Sequence, residues 1–235
     1  MKTILWDMDG VLIDSLGLDL KVINPILEKE FGVKNGVSKD FLKSIFACAV
    51  PEFCKMILEK IEKYSEENLN KFIVQFEEFR RNAKFDLLPN VAESLEKFKS
   101  QDAVQYVVSN NKEEDIKRIL KNCGILKYFE DVIGYDTFGK IAKKPAPDIY
   151  IFVIEKVLEK FKKIKQFYVF EDSCVGIRSA VGAKMEAHCP PSLKLRRVNN
   201  VPVRVIGVAT GADSFENLEK AGADIVIFSL KDFII

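Results

Sequence analysis

The chain holds a single histidine, and its five cysteines are scattered without a Cys-x-x-Cys pair. Cysteines so placed read as buried thiols in a reducing compartment, not as a disulfide framework. The histidine, His188, stands beside Cys189. Two adjacent side chains cannot supply the three or four ligands of a tetrahedral zinc site. Charge of neither sign prevails, with 36 Lys and Arg against 35 Asp and Glu, which argues against a dedicated nucleic-acid binder. No apolar run approaches the length needed to cross a bilayer. The N-terminus has no basic region followed by a long apolar stretch, so no signal peptide is expected. A cytoplasmic globular protein without nucleic-acid or membrane partners is the expectation. Hydrophobic residues make up 48% of the 235, enough for one large domain or for a large and a small one.

What is present begins at Ile4-Leu5-Trp6-Asp7-Met8-Asp9-Gly10-Val11-Leu12-Ile13-Asp14-Ser15. An apolar run ends in two carboxylates one residue apart. Strand side chains repeat every two residues, so Asp7 and Asp9 point the same way out of a sheet. Two acids held that close repel each other, which suits a bound cation or a shared proton. Asp-x-Asp-Gly alone also suits a plain turn after a strand.

From about residue 16 to 84 only helical spacing is found. Leu18 to Phe31 stops before Gly32; Phe41 to Phe46 follows Ser38 as a candidate N-cap. Pro51 stands near the start of a third helix, and a fourth is predicted from about Ser65 to Phe85. Beyond Leu88-Pro89, strands alternate with helices. Strands are predicted at Val104–Val108, near Asp131–Gly134, at Gln166–Phe170 and at Val203–Val208, with an edge strand at Ile225–Ile227. Such alternation means right-handed βαβ units and a parallel sheet covered on both faces, with ligands outside the carboxyl ends of the strands. Every polar cluster falls at such an end: Asp7/Asp9, Ser109/Asn110 and Glu171/Asp172, with Lys144 on the loop after the third strand.

Those groups allow one coherent chemistry. Asp7 and Asp172 can hold Mg²⁺, a hard ion that prefers oxygen ligands and keeps several waters, one of which Glu171 could reach. A lysine beside an aspartate nucleophile favours its ionised form and attracts a phosphate oxygen. Ser109 and nearby backbone N–H groups offer donors to another, with Asn110 beside them at the phosphate. An aspartate nucleophile splits a hard transfer into two steps, and Asp9 would carry the proton in both.

Four stretches in this order resemble the motifs of the haloacid dehalogenase superfamily, in its phosphatase and β-phosphoglucomutase-like branch with a helical cap. They are Trp6 to Ser15, Val107-Val108-Ser109-Asn110, Lys144-Pro145-Ala146-Pro147-Asp148 and Phe170 to Arg178. The resemblance implies an α/β, Rossmann-like doubly wound parallel sheet of order 3-2-1-4-5, with residues 1–15 and 85–235 as core and 16–84 as an inserted all-helical cap. It implies Asp7 as nucleophile, Asp9 as general acid/base, Ser109 as phosphate donor and Lys144 as the neutralising charge. Asp172 would ligate Mg²⁺ with Asp7 and the Asp9 carbonyl. The implied activity is a Mg²⁺-dependent phosphatase acting on a small soluble phosphomonoester, of the sugar phosphate or phosphoglycolate type. A phosphomutase or a non-catalytic phosphometabolite-binding relative are the alternatives. The mutases usually carry a histidine early in the cap, where this chain reads Leu16-Gly17-Leu18-Asp19-Leu20-Lys21. A monomer or weak homo-oligomer is expected.

Two stretches depart from the family pattern. Glu186 to Pro202 intervenes before the fifth strand and reads as a surface insertion or a partner contact, remote from the chemistry. In the cap, Lys43, Lys55, Arg80 and Arg81 are candidates for an anionic leaving group or for a solvated helix face.

Overall fold

The computed structural model describes residues 1–46, 50–137, 139, 141–186 and 201–233. The chain divides into two compact units, Met1–Ile13 with Leu87–Ile235, and Asp14–Asp86. The described chain accounts for all the predicted strands; residues 187–200, with His188 and Cys189, lie outside the described residues.

The larger unit is a parallel sheet of six strands: β1 (Lys2–Trp6), β2 (Val104–Val108), β3 (Asp131–Ile133), β4 (Gln166–Glu171), β5 (Val203–Val208) and β6 (Ile225–Ile227). Their order is β3-β2-β1-β4-β5-β6, so the sixth strand extends the expected order at the β5 edge. Near-continuous apolar strands are what a sheet buried on both faces requires. On one face Leu5, Tyr106, Val108, Phe167, Val169 and Val205 pack with Tyr150, Val153 and Ile177. These last come from α7 (Asp148–Lys160) and α8 (Cys174–Glu186). Trp6 points the other way and stacks on Phe170 at 4.4 Å, with Phe98 at 5.5 Å. Its indole N–H donates to Gln105 Oε1, and the Gln105 amide donates to the Leu95 carbonyl, so the buried polar atoms are matched. Phe98 and Leu95 lie on α5 (Val91–Ser100). The strand-to-helix alternation is completed by α6 (Glu113–Asn122) and by a six-residue helix, α9 (Phe215–Lys220), that periodicity does not predict.

The smaller unit is helical: α1 (Ser15–Phe31), α2 (Lys39–Ile45), α3 (Val50–Lys60) and α4 (Glu66–Asn82). Ser38 and Ser65 cap α2 and α4, accepting from Phe41 N and Asn68 N. Leu27, Leu42, Ile57, Phe72 and Phe76 form its core. The fourth helix stops three residues short of the expected Phe85. Ala83 is already extended, because the chain must return beside its outgoing segment, where Asp14 N donates to Asp86 O. Of the four cap cations, Arg80 donates to buried Asp19 at 3.0 Å and lies over the Phe76 and Phe85 rings. Lys55 lies over the Tyr64 ring and 3.9 Å from Glu59.

A carboxylate ties α1 to α4 in this unit. Hydrogen bonds from Lys71, then Gln75 and Lys29, lower the Glu30 pKa from 4.5 to about 2. A depressed acid adds stability above its ordinary pKa and loses it as pH falls through the folded value. Wild type is therefore expected to melt slightly above Glu30→Gln near neutral pH, since exposed pairs contribute little. That gap should close between about pH 4.5 and 2, as thermal melts across this range would record. A gap independent of pH would refute the pairing.

Candidate active site

Sheet register builds the site. Leu5 lies beside Val169 and Trp6 beside Phe170, and Asp7 N continues the ladder onto Phe170 O at 2.9 Å. Asp7 therefore emerges level with Glu171, on the face that Leu5 and Val169 share. The loop before α7 brings in Lys144, whose Nζ donates to Asp7 Oδ1 at 2.6 Å, Glu171 Oε1 at 2.6 Å and Val108 O at 2.7 Å. Three acceptors saturate an ammonium group. Its side chain is only 3% exposed.

Asp7, Glu171 and Asp172 each place a carboxylate oxygen within 4.8 Å of the others, and all three are buried. One ammonium facing three acids leaves negative charge in excess. The Asp7 carboxyl is raised well above its ordinary value, by burial first and then by Glu171, Asp172 and Asp9, against the pull of Lys144. Asp172 is pushed up to about 8 by burial and by Glu171, although the Ala212 N–H works the other way. For Lys144 burial disfavours the ammonium, but Asp7 and Glu171 outweigh it and its pKa is raised. The lysine is thus held charged while the acids crowd one another. A buried set of oxygen donors with surplus negative charge is what a hard divalent cation fits.

Two glycines make room for this cluster. Gly10 has φ +76°, and a Cβ there would stand 2.1 Å from Asp172 Oδ2. A Cβ on Gly211 would stand 1.7 Å from the same oxygen. Asp172 is seated between these backbones, with Ala212 N donating to its Oδ2 at 2.8 Å. Thr210 Oγ1 fastens the two loops by donating to Gly10 O at 2.7 Å.

The remaining expected residues are placed as follows. Ser109, buried at the end of β2, accepts from Asn111 N at 3.2 Å and from Asn111 Nδ2 at 3.1 Å. Asp9 is half-buried, and its Oδ2 accepts from the same Asn111 Nδ2 at 2.5 Å. Asn110 does not turn its amide outward as a phosphate contact requires. Its Oδ1 accepts from Lys144 N at 2.8 Å and its Nδ2 donates to Lys144 O at 3.2 Å. Both ends of that amide clamp the Lys144 backbone instead.

Three contributors escape sequence reasoning. Tyr150 donates its hydroxyl to Glu171 Oε1 from a helix position that reads as an ordinary core aromatic. The Thr210-Gly211-Ala212 loop after β5 carries a signal, Thr-Gly at the carboxyl end of a strand. Asn111 follows Ser109-Asn110 directly and reads as a turn residue.

A family profile described as haloacid dehalogenase-like hydrolase matches residues 4–188. The chain belongs to that family. Among curated relatives, a phosphoglycolate phosphatase of Aquifex aeolicus is 32% identical over 165 residues, covering 69% of this chain and 73% of the relative. A phosphorylated carbohydrates phosphatase of Thermotoga maritima is 27% identical over 191 residues, covering 79% and 83%. The fold of a haloacid dehalogenase family hydrolase from Deinococcus radiodurans, solved with phosphate and sodium, superposes with a TM-score of 0.74. That match is 18% identical and covers 98% of this chain and 92% of the other. Within this family the fold is settled, and no helix among the described residues is long and apolar enough to cross a membrane.

Proposed function

We propose that this haloacid dehalogenase-like hydrolase is a phosphatase that cleaves a small soluble phosphate monoester through an aspartyl-phosphate on Asp7. The observation that carries the reading is Lys144, buried and bridging Asp7 Oδ1 and Glu171 Oε1 at 2.6 Å each. It opposes the effect of burial on the Asp7 carboxyl, favouring the carboxylate that attacks, and it draws a phosphate oxygen to the same spot. The phosphatase relatives support the same reading, and they point toward sugar phosphates and phosphoglycolate as substrate classes.

In the first step a carboxylate oxygen of Asp7 attacks phosphorus. The bond from phosphorus to the ester oxygen breaks, that oxygen keeps the electron pair, and it takes a proton from the Asp9 carboxyl. In the second, a water gives its proton to the Asp9 carboxylate while its oxygen bonds to phosphorus. The aspartyl P–O bond then breaks, releasing inorganic phosphate and restoring the Asp7 carboxylate. The Ser109 hydroxyl donates to a phosphate oxygen throughout. Asn110 holds the backbone of Lys144, and Tyr150 holds Glu171, so that the ammonium stays on Asp7.

Asp7 and Asp172, with the Asp9 carbonyl and Glu171 through a water, would hold Mg²⁺. When bound there, the ion supplies positive charge that offsets the phosphoryl oxygens. The helical unit would serve as the cap that selects the leaving group.

The test is a panel of sugar phosphates, phosphoglycolate, nucleotides and p-nitrophenyl phosphate, assayed for inorganic phosphate with Mg²⁺ present. Release from at least one member is expected. No release from any would leave a phosphometabolite-binding protein, and isomerisation of a hexose phosphate with little free phosphate would leave a mutase.

A further inference from the structure

We propose that Asn111 is a positioning residue that sets the hydrogen-bond direction of two reactive groups at once, the Ser109 hydroxyl and the Asp9 carboxyl. The inference rests on the phosphatase reading above. A serine oxygen has two lone pairs and one proton. Both lone pairs of Ser109 are met by Asn111, from its backbone N–H at 3.2 Å and its Nδ2 at 3.1 Å. The hydroxyl proton is thereby directed outward, where a phosphate oxygen can accept it. Nδ2 carries a second hydrogen, which goes to Asp9 Oδ2 at 2.5 Å. Of a carboxyl's two oxygens the carbonyl oxygen is the better acceptor, so an N–H held on Oδ2 favours the Asp9 proton on Oδ1. That is the oxygen which must give the proton to the leaving group. The opposite amide orientation would set a carbonyl oxygen against a carboxylate oxygen, so Asp9 itself keeps Asn111 this way round.

The position of Asn111 is fixed independently of both groups. Its carbonyl accepts from Tyr135 N at 3.2 Å, anchoring the residue to the loop after β3. The amide thus has a rigid base and two fixed targets. A rigid donor between a phosphate-binding hydroxyl and a proton donor serves the first chemical step, in which phosphate is gripped as the ester oxygen departs.

The two arms of Asn111 are separable by leaving group. Gripping phosphate matters equally for every ester, whereas protonation matters far more for an alkoxide than for p-nitrophenolate, which leaves readily as an anion. In Asn111→Ala, kcat/KM for the alkyl ester that wild type cleaves fastest in the panel is expected to fall about 100-fold, within the usual span for general acid catalysis. The fall for p-nitrophenyl phosphate should be at least about tenfold smaller by the same reasoning. In an Asp9→Ala background the acid is absent already, so adding Asn111→Ala should leave the ratio between the two esters where Asp9→Ala put it. This comparison is independent of any general loss of folded protein, because both esters are assayed on one preparation. Equal falls for the two esters, or a further change of ratio in the double variant, would overturn the role given to Asn111 while leaving the phosphatase reading intact. A wild type inert toward the whole panel would overturn that reading and this inference with it.

Discussion

Asp7→Asn is expected to lose at least about 10⁴-fold in kcat toward any ester the wild type cleaves, because the group that forms the covalent bond is gone. The same variant is expected to melt no lower than wild type in buffer free of divalent ions. Burial, together with Glu171, Asp172 and Asp9, raises the Asp7 carboxyl well above 3.8 despite Lys144. For a raised acid, the ionised form is disfavoured in the fold. Each pH unit between the ordinary and the folded value costs about 1.4 kcal/mol. Asparagine keeps an oxygen to accept from Lys144 and removes that cost. Phosphate-release kinetics and thermal melts on the same preparations check both halves. Adding Mg²⁺ should then raise the wild-type melting temperature more than that of the variant, since an ion that binds only the folded state stabilises by mass action. Substantial turnover by Asp7→Asn would remove the aspartyl-phosphate.

Much of this site is legible before any coordinates. Asp7, Ser109 and Glu171-Asp172 each close an apolar strand, and parallel sheets present their carboxyl ends together. Lys144 is legible only by its place in the loop before α7, and the structure brings it onto Asp7 across 137 residues of chain. What the sequence hides is the partner of each polar atom. Tyr150 obeys the helical spacing of Ile149, Val153 and Val157, so its ring is read as core. Its hydroxyl, however, reaches Glu171. Asn110 and Asn111 are the same residue type in adjacent positions, yet one amide clamps the Lys144 backbone and the other serves Ser109 and Asp9. Periodicity reports which face is buried and is silent on where a side-chain amide points. The short helix α9 is missed for a related reason: it buries a single residue, Leu218, and one apolar position has no period.

Lys144→Met tests the electrostatic claim most severely. The methionine is close in length and apolar, so packing is conserved while the ammonium that pairs Asp7 and Glu171 disappears. Kinetically, loss of a preorganised charge at the transferred group is expected to cost about 10³-fold in kcat. Removing one partner of a buried ion pair typically costs about 3–5 kcal/mol. For a chain of this size that is a melting temperature lower by roughly 10 °C. The cause is the set left behind: Asp7 and Glu171 would lose the ammonium they share at 2.6 Å. They could then remain buried only by taking up protons. If that account holds, Lys144→Met made together with Glu171→Gln should recover part of the lost stability, because one of the abandoned charges is gone, and no activity, because the ammonium is still missing. The two effects of Lys144 are thereby separated. A double variant as unstable as Lys144→Met alone would mean that the abandoned Glu171 charge is not what destabilises the single variant, and the charge balance proposed for the site would fall.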